Sequence, residues 1–146
     1  SGFTYETFQK SLFALHALSI KVIVHLILGL PHETREMMSA SVQAIANLPV
    51  WGIKLQLLHV LSGTDLAAYY EKTHFPVFSM DEYCEMLIDC LVLLPPEMVI
   101  HRITGDGPKD LLIAPMWSTG KRTVLNQIHR RLKERNTYQG RLATKR

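Results

Sequence analysis

Cysteine is scarce in this chain, with two in 146 residues. That excludes the disulfide framework of a small secreted domain. Cys84 and Cys90 are six positions apart. On one helix that is about 600° of rotation, so they face different ways and cannot chelate one metal together. They read as buried thiols. Long hydrophobic runs are also missing, and nothing approaches the roughly eighteen apolar residues of a membrane helix. The opening SGFTYETFQK lacks the basic-then-apolar order of a secretory signal. Internal repeats and low-complexity segments are absent. These absences lead to the expectation of a cytoplasmic protein with no membrane partner.

Acidic residues are nearly missing from one region. Residues 121–146 hold nine Lys/Arg and a single acid, Glu134, while residues 1–120 hold seven Lys/Arg and twelve acids. The overall charge of +3 therefore divides into an acidic body and a strongly basic tail. Such a tail suits RNA, an acidic partner or simply water.

What is present is globular: 47% hydrophobic and 20% charged residues, enough for one domain with a real core. Thr4 can cap a helix with Phe8, Leu12 and Leu15 on one face. Residues 20–30 read as a near-continuous apolar strand, the pattern of a strand buried on both faces. Gly29-Leu30-Pro31 stops it, and Thr34 opens a helix with Met38, Val42 and Ile45 inward. Residues 53–60 form a second strand and residues 65–72 a short helix. Ser79 and Glu82 make a capping box for a long helix ending at Pro95-Pro96. Residues 98–104 are a third strand. A last helix spans 118–135, with Leu125, Ile128 and Leu132 on one face, before a frayed end. The alternation argues a parallel sheet with helical crossovers. The chain starts on a helix, and three strands leave two open sheet edges. The expectation is a fragment, or one half that needs a partner.

In parallel α/β folds, ligands gather at the C-terminal ends of strands. Here those ends are Gly29-Leu30-Pro31, His59 to Thr64, and Gly105 to Pro108. Glycines there admit a ligand close to the backbone, although turns alone also call for glycine. His25, His59 and His101 fall one to a strand. Converging, they would suit a metal or a proton relay; separately, each is a core histidine bonded to backbone. No ligand spacing such as H-E-x-x-H is present, so no metal site is assigned. TGDGPKD lacks phosphate-loop spacing. Arg102, Asp106 and Lys109 nevertheless lie near one strand end, as anion-binding candidates or as solvated turn residues.

Four segments together carry a family resemblance: HLILGLPHET, GIKLQLLHVLSGTDL, LPPEMVIHRITGDGPKDLLIAPMWS and the later K..VLNQI. The chain resembles the C-terminal half of the radical SAM superfamily, most closely its YhcC-type branch, from about Phe3 to Gly140. The resemblance implies an α/β fold, a partial (β/α) TIM-type barrel whose C-terminal half has about three parallel strands and flanking helices. It implies residues 1–116 as the C-terminal half of a (β/α)6 partial barrel, and residues 117–146 as a basic helix and tail. In the full-length protein it implies S-adenosylmethionine and a [4Fe-4S] cluster bound by a Cys-x3-Cys-x2-Cys motif. That motif is not in this chain, so no cofactor is expected to stay with it alone. By the same resemblance, Ile27, Leu28 and Gly29 lie beside the adenine, with His25 in place of a family glycine. The backbone around His59, Val60 and Leu61 lies at the adenine edge. His25, His101, Arg102, Asp106 and Lys109 stand on the substrate side. The implied activity is reductive cleavage of S-adenosylmethionine to a 5′-deoxyadenosyl radical, with RNA modification among the outcomes. The implied partner is the N-terminal half of the same protein. A homodimer through the sheet edges and RNA on the basic tail are further expectations. The alternative is a stand-alone nucleotide- or RNA-binding module without catalysis.

Overall fold

A computed structural model describes residues 4–105 and 107–144. Strands β1 (Ile23–Leu28), β2 (Gly52–Leu57) and β4 (Val99–Arg102) form a parallel sheet in the order β1-β2-β4. The short strands β3 (Val60–Leu61) and β5 (Leu112–Ala114) pair antiparallel beside it. Helices α1 (Tyr5–Ala17), α2 (Arg35–Ala46), α3 (Asp65–Thr73), α4 (Met80–Leu91) and α5 (Lys121–Glu134) complete the chain. No helix among the described residues is long and apolar enough to cross a membrane.

Local chemistry sets most of these boundaries. The side chains of Thr4, Thr34 and Thr64 each accept a backbone N–H in the first turn of α1, α2 and α3. At α4, Ser79 accepts the Glu82 N–H at 3.1 Å and Glu82 accepts the Ser79 N–H at 3.0 Å, closing the capping box. Met38, Val42 and Ile45 of α2 are buried, as their spacing predicts. Helix α4 is buried on most sides, with Tyr83, Cys84, Met86, Leu87 and Cys90 all closed to solvent. It joins the sheet and Val124 and Ile128 of α5 in one core.

Four expectations change. The first strand is covered on one face only. Val24, Leu26 and Leu28 pack into the core, whereas Ile23 and Ile27 are 38% and 39% exposed. The helices cover one side of the sheet, so an apolar run is no proof of burial on both faces. The second strand ends at Leu57 rather than residue 60. Leu58 still donates to Leu28 O, but Val60 turns away to pair with Ala114. On α1 and α5, Leu15 and Leu125 are each 37% exposed, and Val124 takes the inward place assigned to Leu125. Finally, residues 139–142 are docked rather than frayed, while Lys145 and Arg146 of the expected frayed end lie outside the described residues. Gln139 Nε2 donates to Pro95 O and Met98 O, both at 2.8 Å, and the Gly140 and Leu142 N–H groups donate to Leu91 O and Val92 O.

Candidate functional site

Register places side chains on the two faces of the parallel sheet. In-register partners share a face, and residues two apart on one strand share it too. His25 lies beside Lys54, Ile27 beside Gln56, and Lys54 beside Arg102. These residues, with Ile23, Gly52 and Val99, form the face away from the helices. A register shift after Ile53 leaves His101 opposite no single residue. Its ring turns across Gly52, where a Cβ would stand 2.8 Å from His101 Cδ2. The same ring packs against Trp51 at 5.3 Å between centroids.

At the C-terminal end of this face lies a cavity of about 260 Å³, lined by Ile27, Gln56, Leu57, Leu58, His59, Arg102, Gly105 and Gly107. The three strand ends, Gly105 and Gly107 contribute together. The His59 ring closes one side. A Cβ on Gly105 would stand 2.2 Å from His59 Nε2, and one on Gly107 2.8 Å from His59 Nδ1. Glycine at both positions is what lets the imidazole lie against the backbone there. Ile27 brings apolar surface and Gln56 an amide that both donates and accepts.

The structure therefore brings together Ile27, His59 and Arg102 from the candidates, and adds Gln56, Gly105 and Gly107. His25 lies on the same face, about two residues below the cavity. His101 is on that face beside Gly52. Other candidates lie elsewhere. Leu28 is fully buried on the core face. Gly29, at φ +93°, passes under the Phe78 ring. Val60 is buried in a small second core with Leu58, Ala67, Phe75 and Ala114. Leu61 pairs with Leu112 in the antiparallel ladder. Lys109 is exposed at the start of a 3₁₀ turn. Asp106 is outside the described residues. Gln56 and Lys54 carry no motif; only their alternation with Ile53, Leu55 and Leu57 marked them as facing away from the core.

A second cavity, of about 660 Å³, opens between the end of β1, the start of α2 and segment 73–78. Gly29, Glu33, Tyr69, Phe75 and Phe78 are among its walls. Burial raises the Glu33 carboxyl above its ordinary value, and His32 Nε2 lies 2.7 Å from the Tyr69 hydroxyl.

The described residues fit the nucleoside part of S-adenosylmethionine and not an iron–sulfur cluster. An apolar wall, an amide and an imidazole suit a purine. No group of three His, Cys, Asp or Glu that could hold a metal is present among the described residues. Cys84 and Cys90 are buried in α4, and burial pushes both thiols up, Cys90 to about 12. Neither is available as a thiolate ligand.

The basic end of the chain is partly neutralised within the fold. Arg131 donates to Glu85 Oε1 at 2.8 Å and Asp81 Oδ1 at 2.5 Å, and Arg135 pairs with Glu85. These contacts tie α5 to α4.

A parallel α/β sheet with a strand-end cavity is shared by many folds, and comparison with known proteins supplies the family. The family described as the Radical_SAM C-terminal domain matches residues 50–134. The chain belongs to that family. It is 44% identical over 136 residues to the uncharacterised protein YtqA of Bacillus subtilis (strain 168), covering 93% of this chain and 42% of that protein. It is 31% identical to MJ0486 of Methanocaldococcus jannaschii, covering 90% and 41%. It is 27% identical to YhcC of Escherichia coli (strain K12), covering 91% and 43%. The chain thus spans about two fifths of the length of these relatives. The archaeal Methanocaldococcus infernus Elp3 with an N-terminal deletion (1–46) superposes with a TM-score of 0.77 at 18% identity, covering 94% of this chain and 32% of that one. That likeness shows the fold.

Proposed function

We propose that this chain supplies one wall of the S-adenosylmethionine site of a radical SAM enzyme, and that a longer protein completes the barrel and holds the cluster. With that cluster bound, reductive cleavage of S-adenosylmethionine would yield methionine and a 5′-deoxyadenosyl radical that abstracts hydrogen from a substrate. The observation that carries the reading is the cavity at the three parallel strand ends. Its volume of about 260 Å³ falls just below the roughly 300–1,000 Å³ of complete small-molecule sites, as one wall of a larger site would. Ile27 would stack on the adenine and Gln56 would bond its edge, with the His59 ring, seated against Gly105 and Gly107, as the neighbouring wall. Membership of the family and an exposed apolar face on β1 support the completing strands.

The test is a titration of the chain with 5′-deoxyadenosine, followed by amide chemical shifts. Ile27, Gln56, His59, Gly105 and Gly107 should move, and uridine should move them less. Equal responses to the two nucleosides, or none, would remove the adenosyl pocket.

A further inference from the structure

The second cavity, between the end of β1, the start of α2 and segment 73–78, has a volume of about 660 Å³. That lies within the roughly 300–1,000 Å³ of complete small-molecule sites. It shares no lining residue with the strand-end cavity. It is a separate site and does not rest on the adenosyl reading.

Its aromatic wall is held from behind. Phe75 is 6% exposed, stacked on Tyr69 at 5.6 Å between centroids and met edge-on by Tyr70 at 5.2 Å. Phe78 is fixed twice. Its carbonyl accepts the Trp117 Nε1–H at 2.8 Å, and its ring lies so close to Gly29 that a Cβ there would stand 3.1 Å away. A wall held in this way needs little ordering to receive a ligand.

The charge on the walls is negative. Glu33 and Glu82 both line the cavity. Arg35 is the only Lys or Arg among the described lining residues, and Asp89 already engages it at 2.7 Å. Glu82 accepts the Ser79 N–H in the capping box and has no ion pair among the described residues. The half-buried Glu33 carboxyl has neither an ion pair nor a side-chain hydrogen bond there, and burial raises it above its ordinary value. An anionic ligand would meet two carboxylates. A neutral apolar one would desolvate Glu33 further without pairing it. A bare metal ion lacks ligands, since no group of three His, Cys, Asp or Glu able to hold one is found among the described residues. A cation on an apolar body answers both the rings and the carboxylate.

We infer that this cavity binds an organic ammonium ion, an amine carried on an apolar body, with Glu33 as its counter-ion and the Tyr69, Phe75 and Phe78 rings around the body.

The test uses benzylammonium, with benzyl alcohol and benzoate at equal ionic strength as neutral and anionic probes of the same ring size. Amide chemical shifts are followed at Gly29, Glu33, Val77 and Phe78. Benzylammonium should move them at concentrations about fivefold or more below those at which benzyl alcohol does, and benzoate should bind more weakly than either. Glu33→Gln keeps the side chain's shape and removes its charge. It should weaken benzylammonium about fivefold or more and leave benzyl alcohol unchanged, a selectivity that a merely structural role for Glu33 would not produce. Tyr69→Leu should weaken both probes about two- to fivefold. No response to benzylammonium, equal affinity for benzylammonium and benzyl alcohol, or benzylammonium binding unaltered in Glu33→Gln would overturn the inference. The comparison of the three probes on the unmodified chain decides the matter even where a variant fails to fold.

Discussion

His59 and Gly105 define the cavity's closed side by mutual exclusion. A methyl group at Gly105 would overlap the imidazole at 2.2 Å from Nε2 and 2.3 Å from Cε1, so one of them must move. Gly105→Ala should therefore cost about 1–3 kcal/mol, the usual range for overpacking, in urea unfolding of the chain. His59→Ala in the same background should recover most of that loss. Additive effects of the two substitutions would show that the contact is not the cause. Tyr83 shows a related economy in the core. Its hydroxyl is closed to solvent and donates to Ile103 O at 2.7 Å, holding the strand end that leads to Gly105. Of the site residues, His59 was legible from its position at a strand end. Gln56 was not, because a glutamine in an alternating strand looks the same whether it faces water or a ligand.

Helices α4 and α5 are joined by an apolar seam and an ionic one. Val124 and Ile128 enter the shared core, and Arg131 and Arg135 reach Asp81 and Glu85 at its rim. The hydrogen bond from Arg135, with the charges of Arg135 and Arg131 behind it, holds the Glu85 carboxyl below the ordinary carboxylate range. A carboxyl whose folded value is depressed stabilises the fold above its unfolded value, near 4.3, and loses that contribution as pH falls through the folded value. Wild type should thus exceed Glu85→Gln in stability at pH 7, and the gap should close below about pH 4. A gap that persists into strong acid would show that the glutamine acts by packing instead. Two of the nine basic residues of the C-terminal segment are committed in this way, which leaves fewer for a nucleic acid than composition suggests.

Over the whole molecule, the three strands are held by helices on one face, and the final residues lock the α4–β4 connection from outside. Gln139 caps Pro95 O and Met98 O, and Gly140, at φ +85°, lies so close to Pro96 that a Cβ would stand 2.5 Å from its Cγ. Gln139→Ala leaves two carbonyls without this donor and should cost about 1–3 kcal/mol. Amide exchange at Gly140 and Leu142 should quicken at the same time. Unchanged melting and exchange would mean that the segment is carried by its backbone contacts alone. The uncovered face, with Ile23, Ile27 and Val99 among its exposed apolar residues, is the side on which the proposed remainder of the barrel would close.

The amino-acid sequence alone determined the starts of the first four helices, the three parallel strands and their order along the chain, since capping threonines, a capping box and apolar periodicity act locally; the fifth helix, expected from 118, starts at Lys121 after a 3₁₀ turn and without a side-chain cap. It also carried the family, through long segments matched as a whole. Tertiary structure alone decided which face of each strand is covered, that Val60 leaves the parallel sheet for Ala114, that residues 139–142 are docked, and that Lys54 stands in register with His25 and Arg102. Those outcomes depend on register and on which neighbours arrive from distant positions, and local pattern encodes neither.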